Sequence, residues 1–194
     1  MKKSKKFSLR NLCIIAGCGL IVGALVLLIF NVASRSAYTA CCEEYVSAIG
    51  KILPPVQNSV PRPGQNNTLP AMEVDGVDFV ALLEFPAFQT TLPVCDDWGA
   101  PEKYPCRFTG NIHESTLIIG VSEPLLPFTE ELYVGDSVTL TDMTGNRFTY
   151  RIQSIEISDN ARKDTLQSTD AALTVFIKHS LSSRYTILRL ETAA

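Results

Sequence analysis

Two strand patterns at the C-terminal end of the chain limit the folds that are open to it. Residues 172–177 (Ala-Leu-Thr-Val-Phe-Ile) form a short, almost wholly apolar run, and Tyr185–Leu190 follows after a brief polar stretch. An apolar run of this length is typical of a strand that is covered on both faces. We therefore expect a sheet whose centre is buried, with these two segments as neighbouring strands.

Further strand patterns precede this pair. They are short runs rich in β-branched and aromatic residues, at 79–85, 90–94, 116–119, 137–141 and 147–152. Thr144–Asn146, between the last two runs, is a hairpin signal. Phe148, Tyr150 and Ile152 alternate with polar residues, so one face of that strand is expected to be buried. About seven short strands with few helices indicate a mainly β fold, either a barrel or a sandwich of mixed strands.

The N-terminal part has the pattern of a membrane anchor. The first ten residues contain five Lys or Arg and no acid, and residues 12–30 form an apolar or small-residue run. Nineteen helical residues span about 28 Å, close to the thickness of a bilayer core. The basic residues 1–11 predict a cytoplasmic N-terminus and an extracellular C-terminal domain. A cleaved signal peptide has a similar pattern, and a lipid-modified Cys41 is a third, weaker interpretation.

The rest of the chain divides into a stalk and one domain. Ser36–Leu53 has helical periodicity and predicts a juxtamembrane helix, which Pro54 and Pro55 end. The remainder of 31–70 is rich in proline and glycine and is interpreted as a linker. Residues 71–194 then form one β domain with its own core.

Composition excludes several classes of function. Beyond residue 30 there are twelve Lys and Arg against twenty Asp and Glu, so nucleic acid is not an expected partner. Cys95 and Cys106 flank a loop and could pair in an oxidising compartment, although the sequence does not decide their connectivity. The acidic doublets Asp96–Asp97 and Glu130–Glu131 lack a calcium-site spacing and are interpreted as solvated surface. No metal or cofactor is expected.

The order of the segments resembles that of the sortases, the membrane-anchored cysteine transpeptidases of Gram-positive bacteria. An anchor, a helix and a proline-rich stretch come first, and a series of short motifs follows in the family's order. These motifs are Glu73–Gly76, Phe79–Pro86, Thr91–Val94, Cys106–Gly110, Leu117–Ile119, Phe128, Gly135–Val138 and Gly145–Tyr150. The resemblance implies a closed β-barrel with a groove for an extended peptide, the sorting signal of a surface protein.

The resemblance also implies a catalytic histidine, cysteine and arginine, and this chain departs from that set. Leu117–Ser122 aligns with the family's approach to the histidine and places Ser122 at that position. Lys178 stands where the nucleophilic cysteine belongs, and Arg184 matches the arginine. An ammonium group cannot form the thioester of the family's reaction, so cysteine transpeptidation is not expected.

Three functions remain open at this point. The first is a catalytically inactive, sortase-like membrane protein that binds sorting-signal peptides or assists an active sortase in surface-protein assembly. The second is an acyl transferase or hydrolase in which Lys178, desolvated by neighbours such as Phe176, acts as a base towards Ser122. The third is a structural subunit of a membrane complex that contacts its partner through 56–70 and 96–110.

Overall fold

The computed structural model describes residues 9–64, 69–99, 103–167, 170–180 and 182–193. They form two compact units, one up to Ala37 and one from Tyr38 to Ala194. Within the described residues there are two α-helices, three short 3-10 helices and ten strands. The α-helices are α1 (Leu9–Ile52) and α2 (Lys163–Leu166), and the strands are β1 (Gln57–Asn58), β2 (Met72–Val74), β3 (Val77–Phe85), β4 (Thr90–Cys95), β5 (Cys106–Thr109), β6 (Leu117–Ser122), β7 (Ser137–Asp142), β8 (Asn146–Ser158), β9 (Leu173–Lys178) and β10 (Tyr185–Thr192).

Eight of these strands close into a barrel. Their order is β3-β4-β5-β6-β9-β10-β8-β7, and β7 closes the ring by pairing with both β8 and β3. The pairs β4–β5 and β6–β9 are parallel and the other pairs of the ring are antiparallel. The prediction of a mainly β, closed barrel of mixed strands is confirmed, and the sandwich is excluded.

Alternation along the central strands divides the side chains between the barrel interior and its outer face. Val175 and Ile177 of β9 lie in the main core together with Val121 of β6. Phe176 lies on the outer face in a second, smaller apolar cluster with Ile118 and Ile187. Because of this second cluster, both faces of the strand are covered, as the apolar sequence of residues 172–177 predicts.

The start of the juxtamembrane helix was predicted wrongly. We expected it to begin at Ser36, whereas α1 runs from Leu9 to Ile52 without a break. Residues 31–35 contain no glycine or proline, so nothing in that stretch ends a helix. The predicted C-terminal end is nearly right, because the helix stops at Ile52, before Pro54 and Pro55.

The last turns of α1 belong to the same compact unit as the barrel. Ile49 is fully buried in the main core and Cys42 is almost fully buried. Tyr45 packs against Phe79, with ring centroids 5.0 Å apart, and against Tyr104 at 5.5 Å. The segment from Tyr38 onward is therefore part of the domain, which begins well before the predicted boundary at residue 71.

Within the part of the chain that the structure describes, no helix is both long and apolar enough to cross a membrane. The anchor over 12–30 stays a prediction.

Helix α2 was not predicted, and it covers part of the outer face of the sheet. Leu166 is fully buried in the second apolar cluster. Arg189 of β10 is only 7 % exposed and holds the helix in place. Its guanidinium donates to the carbonyl oxygens of Leu166 and of Thr165, the latter at 2.6 Å, and to Thr174 Oγ1 at 3.3 Å. Four residues are too few to form a stable helix alone, so these bonds and the packing of Leu166 define it.

Candidate functional site

The strand register places Ser122 and Lys178 side by side. They are the last residues of the parallel neighbours β6 and β9, and their Cα atoms are register partners. Directly opposed residues of neighbouring strands point to the same face of a sheet. The register therefore puts Ser122 and Lys178 on the same face of the sheet. Lys178 is exposed, so the expected desolvation of this lysine by neighbours such as Phe176 is not found, whereas Ser122 is half-buried.

A cavity of about 350 Å³ opens beside this pair on the outer face of the barrel. We call it the aromatic cleft. It is lined by Trp98, Phe108, Val121, Ser122, Ala161, Phe176, Lys178 and Tyr185. Four of these eight side chains are aromatic, whereas the polar and charged groups lie together at the end formed by Ser122 and Lys178. The cleft therefore offers an apolar floor that leads to one cationic group.

Gly120 makes the floor of the aromatic cleft possible. It lies on β6 opposite Phe176, and the indole ring of Trp98 rests directly on its backbone. A Cβ atom at this position would collide with the indole and would lie 2.7 Å from Phe176 Cζ. Trp98 also packs against Phe108, with centroids 5.0 Å apart, and against Phe176 at 5.6 Å. Glycine is thus required here so that the aromatic rings can approach the strand.

A second cavity, of about 260 Å³, lies on the other side of the Ser122–Lys178 pair. Its lining residues are Tyr38, Ser122, Pro124, Lys178, His179 and Ser180. Next to it, the Glu123 carboxylate accepts the backbone N–H of Ser180 at 2.7 Å and lies 3.6 Å from His179 Nδ1. His179 Nε2 is 2.8 Å from Thr186 Oγ1. These contacts fix the turn after β9 to the end of β6.

The same contacts determine the protonation of Glu123. Burial by itself would raise the pKa of this carboxyl group, but the Ser180 N–H and His179 outweigh burial and hold the pKa below its usual value. Glu123 is therefore ionised at neutral pH. A carboxylate held by neighbouring donors in this way is a positioning group for the turn and is a poor proton acceptor.

Arg184 is not the register partner of Lys178. It precedes β10, its side chain is 67 % exposed, and its Nε is 3.7 Å from Asp159 Oδ1. Its backbone oxygen accepts the His179 N–H, so it stands opposite His179. Tyr185 is the register partner of Lys178 on β10. The structure thus brings Ser122 and Lys178 together and places Tyr185, rather than Arg184, across from the lysine.

The two histidines lie in different surroundings. His113 is half-buried: its Nδ1 accepts the Arg62 N–H at 3.3 Å and its ring packs edge-on against Phe148. The contacts of His179 are those with Glu123 and Thr186.

Two cysteines near the barrel, Cys42 and Cys95, are poor nucleophiles. Cys95 and Cys106 are both buried, and their Sγ atoms are 2.8 Å apart. The hydrogen bond between the two thiols and the burial of Cys95 raise its pKa far above the usual value. Burial also raises the pKa of Cys42 to about 12. Cys42 and Cys95 therefore do not provide the thiolate that cysteine transpeptidation needs.

No three His, Cys, Asp or Glu side chains converge as a metal site within the described residues. Of the acidic doublets, Asp96 pairs with Arg107 at 2.5 Å, and Asp97 accepts the Gly99 N–H at 2.9 Å. Both carboxylates thus stabilise the loop after β4.

Sequence reasoning missed three contributors to the site: Trp98, Tyr185 and Glu123. Trp98 is the only tryptophan of the chain and follows shortly after a strand pattern, which could have drawn attention to it. Which residue of β10 lies opposite Lys178 depends on the turn between β9 and β10. The sequence does not give the conformation of that turn, so Tyr185 could not be assigned as the partner of Lys178. Glu123 acts through the backbone of Ser180, and that contact leaves no trace in the sequence.

No protein-family model matches the chain, and no curated protein is significantly similar to it in sequence. Solved structures of sortases are nevertheless similar to it in fold. Sortase C-3 from Streptococcus pneumoniae has a TM-score of 0.53 at 14% identity, over 82% of this chain and 82% of that chain. Sortase C-1 from Actinomyces oris has a TM-score of 0.52 at 15% identity, over 82% of this chain and 99% of that chain. Clostridium perfringens sortase C, solved with the C-terminal cell wall sorting motif, has a TM-score of 0.51 at 17% identity, over 66% of this chain and 78% of that chain.

Proposed function

We propose that this chain, which has the sortase fold, is an extracytoplasmic membrane protein that binds the sorting signal of a surface protein and does not carry out cysteine transpeptidation. The aromatic cleft beside Ser122 and Lys178 is the observation that carries the proposal. A sortase of the same fold has been solved with a cell wall sorting motif, which supports a peptide as the ligand. The partner that delivers the peptide would be the surface protein itself or an active sortase.

The chemistry of the position that the family uses for attack supports the inactive assignment. Acyl transfer through a thioester requires a thiolate, and Lys178 supplies an amine at the end of β9. The neighbouring position is Ser122 where the family has its histidine. Loss of two members of a catalytic set costs several orders of magnitude in rate.

Binding in the cleft would depend mainly on side chains. At the end of β9, Lys178 has a register partner on each side, Ser122 of β6 and Tyr185 of β10, so β9 offers no free edge to a peptide there. Phe176 and Tyr185 would instead contact apolar side chains of the peptide, and the Lys178 ammonium would donate to its carbonyl oxygens.

The predicted topology places the domain outside the cytoplasmic membrane. This part of the proposal rests on the basic residues 1–11 and the apolar run 12–30. Large apolar side chains of α1 between Leu20 and Val32 are exposed, which suits an apolar environment. Protease treatment of intact cells tests it: the domain should be cleaved, and protection of the domain would contradict the proposed topology.

Peptide binding can be tested by fluorescence anisotropy. The full chain in detergent is titrated into a labelled synthetic sorting-signal peptide that contains a Thr–Gly bond. We expect saturable binding that Tyr185→Ala weakens at least about tenfold, because aromatic contacts dominate such interfaces. Tyr133→Ala is the matched control, since Tyr133 is 69% exposed and lies outside the cleft. No saturation, or equal affinities of the two variants, would refute binding in the cleft.

An acyl transferase or hydrolase that uses Ser122 is the second candidate. The direct pairing of Ser122 with Lys178 favours it, because a lysine beside a serine can accept the hydroxyl proton during attack. A fluorophosphonate probe should then label Ser122, and Lys178→Ala should abolish the labelling while Lys163→Ala leaves it intact. An unlabelled Ser122 in the wild-type protein would exclude this candidate.

A further inference from the structure

Strands β4 and β5 meet in the barrel wall at a single pair of residues, and both are cysteines. Cys95 and Cys106 are Cα register partners in the parallel pairing of these strands. Their Sγ atoms lie 2.8 Å apart, and the residues are 2% and 0% exposed. The Cys95 N–H also donates to the Pro105 oxygen at 2.9 Å. The contact between β4 and β5 in the barrel wall is therefore made by two buried cysteines whose sulfur atoms are in contact.

The loop between these cysteines carries the indole of the aromatic cleft. Trp98 follows Cys95 by three residues, and its ring rests on Gly120 between Phe108 and Phe176. The base of the loop is also tied by the ion pair between Asp96 and Arg107. The positions of Cys95 and Cys106 thus fix where the loop leaves and re-enters the barrel wall.

We infer that Cys95 and Cys106 form a disulfide that closes the loop 96–105, the loop that carries Trp98 of the aromatic cleft. The two thiols would lose two protons and two electrons and gain one S–S bond. A disulfide-containing oxidant, either a thiol–disulfide oxidoreductase or a small-molecule disulfide, would take up the electrons and leave as two thiols. Such oxidants act outside the cytoplasm, where the proposed topology places the domain.

The disulfide would serve a structural role and not a catalytic one. A disulfide acts mainly by limiting the conformations of the segment that it closes. The closed segment here contains Trp98, whose ring rests on Gly120 while both cysteines are free thiols, so the disulfide would limit the excursions of this loop without touching Ser122 or Lys178. An effect of the disulfide on peptide affinity rests on the proposed function. The formation of the disulfide and the mobility of Trp98 can be tested without it.

Differential alkylation followed by mass spectrometry tests the bond. The full chain is purified in detergent without reductant, equilibrated with oxidised glutathione, denatured and alkylated. We expect a peptide linked through Cys95 and Cys106, two hydrogens lighter than the reduced pair, while Cys41 and Cys42 take up the label as internal controls. Alkylation of both Cys95 and Cys106 would overturn the inference.

Trp98 fluorescence tests the effect on the loop, since this residue is the only tryptophan in the chain. Reduction of the wild-type protein should shift its emission to the red and raise its quenching by acrylamide at least about twofold. Cys95→Ala/Cys106→Ala should show the reduced spectrum and no response to reductant. An emission spectrum of the wild-type protein that is the same before and after reduction would show that the disulfide does not restrict Trp98. This measurement needs no bound peptide.

Discussion

At the scale of single residues, Tyr150 is the most unusual group in the core. It is fully buried, and its hydroxyl is the one buried side-chain oxygen or nitrogen among the described residues with no hydrogen-bond partner. Burial raises the pKa of this phenol above its usual value, so the group stays neutral. Burying an unpaired hydroxyl costs about 1–3 kcal/mol, so Tyr150→Phe should raise the free energy of unfolding by roughly 1 kcal/mol.

Urea denaturation checks this expectation, with Tyr104→Phe as the matched control. The Tyr104 hydroxyl lies 3.8 Å from Cys41 Sγ, so its removal should destabilise the protein by about 0.5–1 kcal/mol. A loss of stability in Tyr150→Phe would mean that its hydroxyl has a partner in solution.

Glu123 gives a pH dependence with a definite sign. Its pKa in the folded protein is below the ordinary value of 4.5. The stabilisation of the folded protein by ionised Glu123 is therefore complete above pH 4.5 and is lost as the pH falls through the pKa of Glu123 in the folded protein. Glu123→Gln should lower the free energy of unfolding at pH 7 by about 1 kcal/mol and flatten its decline below pH 4.5.

Unfolding measured between pH 3 and pH 7 tests this expectation. Glu130→Gln, a substitution at an exposed carboxylate, is the control and should follow the wild-type curve. A steeper acid decline in Glu123→Gln than in the wild-type protein would contradict the assignment.

At the scale of elements, Arg189 decides whether α2 stays on the sheet. Its guanidinium bonds two carbonyl oxygens of that helix and Thr174 on β9. Arg189→Met should cost about 3 kcal/mol of stability, since the buried carbonyl groups lose their donor. Arg189→Lys should not restore it, because one ammonium cannot replace a planar fork of donors.

Thermal unfolding distinguishes these variants. Arg151→Met, at an exposed arginine of β8, should stay within about 0.5 kcal/mol of the wild-type protein. Full stability of Arg189→Lys would show that the fork geometry is not required.

The elements also show what the sequence could predict. The seven predicted strands are all present because their apolar runs match the two-residue period of a half-buried or buried strand. β1, β2 and β5 were missed because each is only two to four residues long and depends on a neighbouring strand. β8 continues to Ser158 instead of ending at Ile152, because pairing with β10 stabilises a stretch that carries exposed residues such as Ile157.

The site was predictable only as far as the strands that carry it. Ser122 and Lys178 could be placed together because both end strands that the resemblance makes neighbours. Trp98 reaches the same cleft from a loop, and its position depends on Gly120, Phe108 and Phe176 together. Contacts of this kind arise from tertiary packing and have no local sequence signal.

At the scale of the whole molecule, the barrel has the sortase fold. Lys178, Ser122 and Tyr185 are neighbours across β9, β6 and β10, and the aromatic cleft begins beside them. Our central proposal is that this cleft holds a peptide without the use of thiol chemistry.

Trp98 emission tests that claim most directly, because the only tryptophan of the chain lies in the cleft. The oxidised full chain in detergent is titrated with an unlabelled sorting-signal peptide while the emission spectrum is recorded. We predict a saturable blue shift, since a bound peptide would remove water from an indole that is 38% exposed. A spectrum that does not change as peptide is added, or one that changes linearly without saturation, would contradict binding in the cleft.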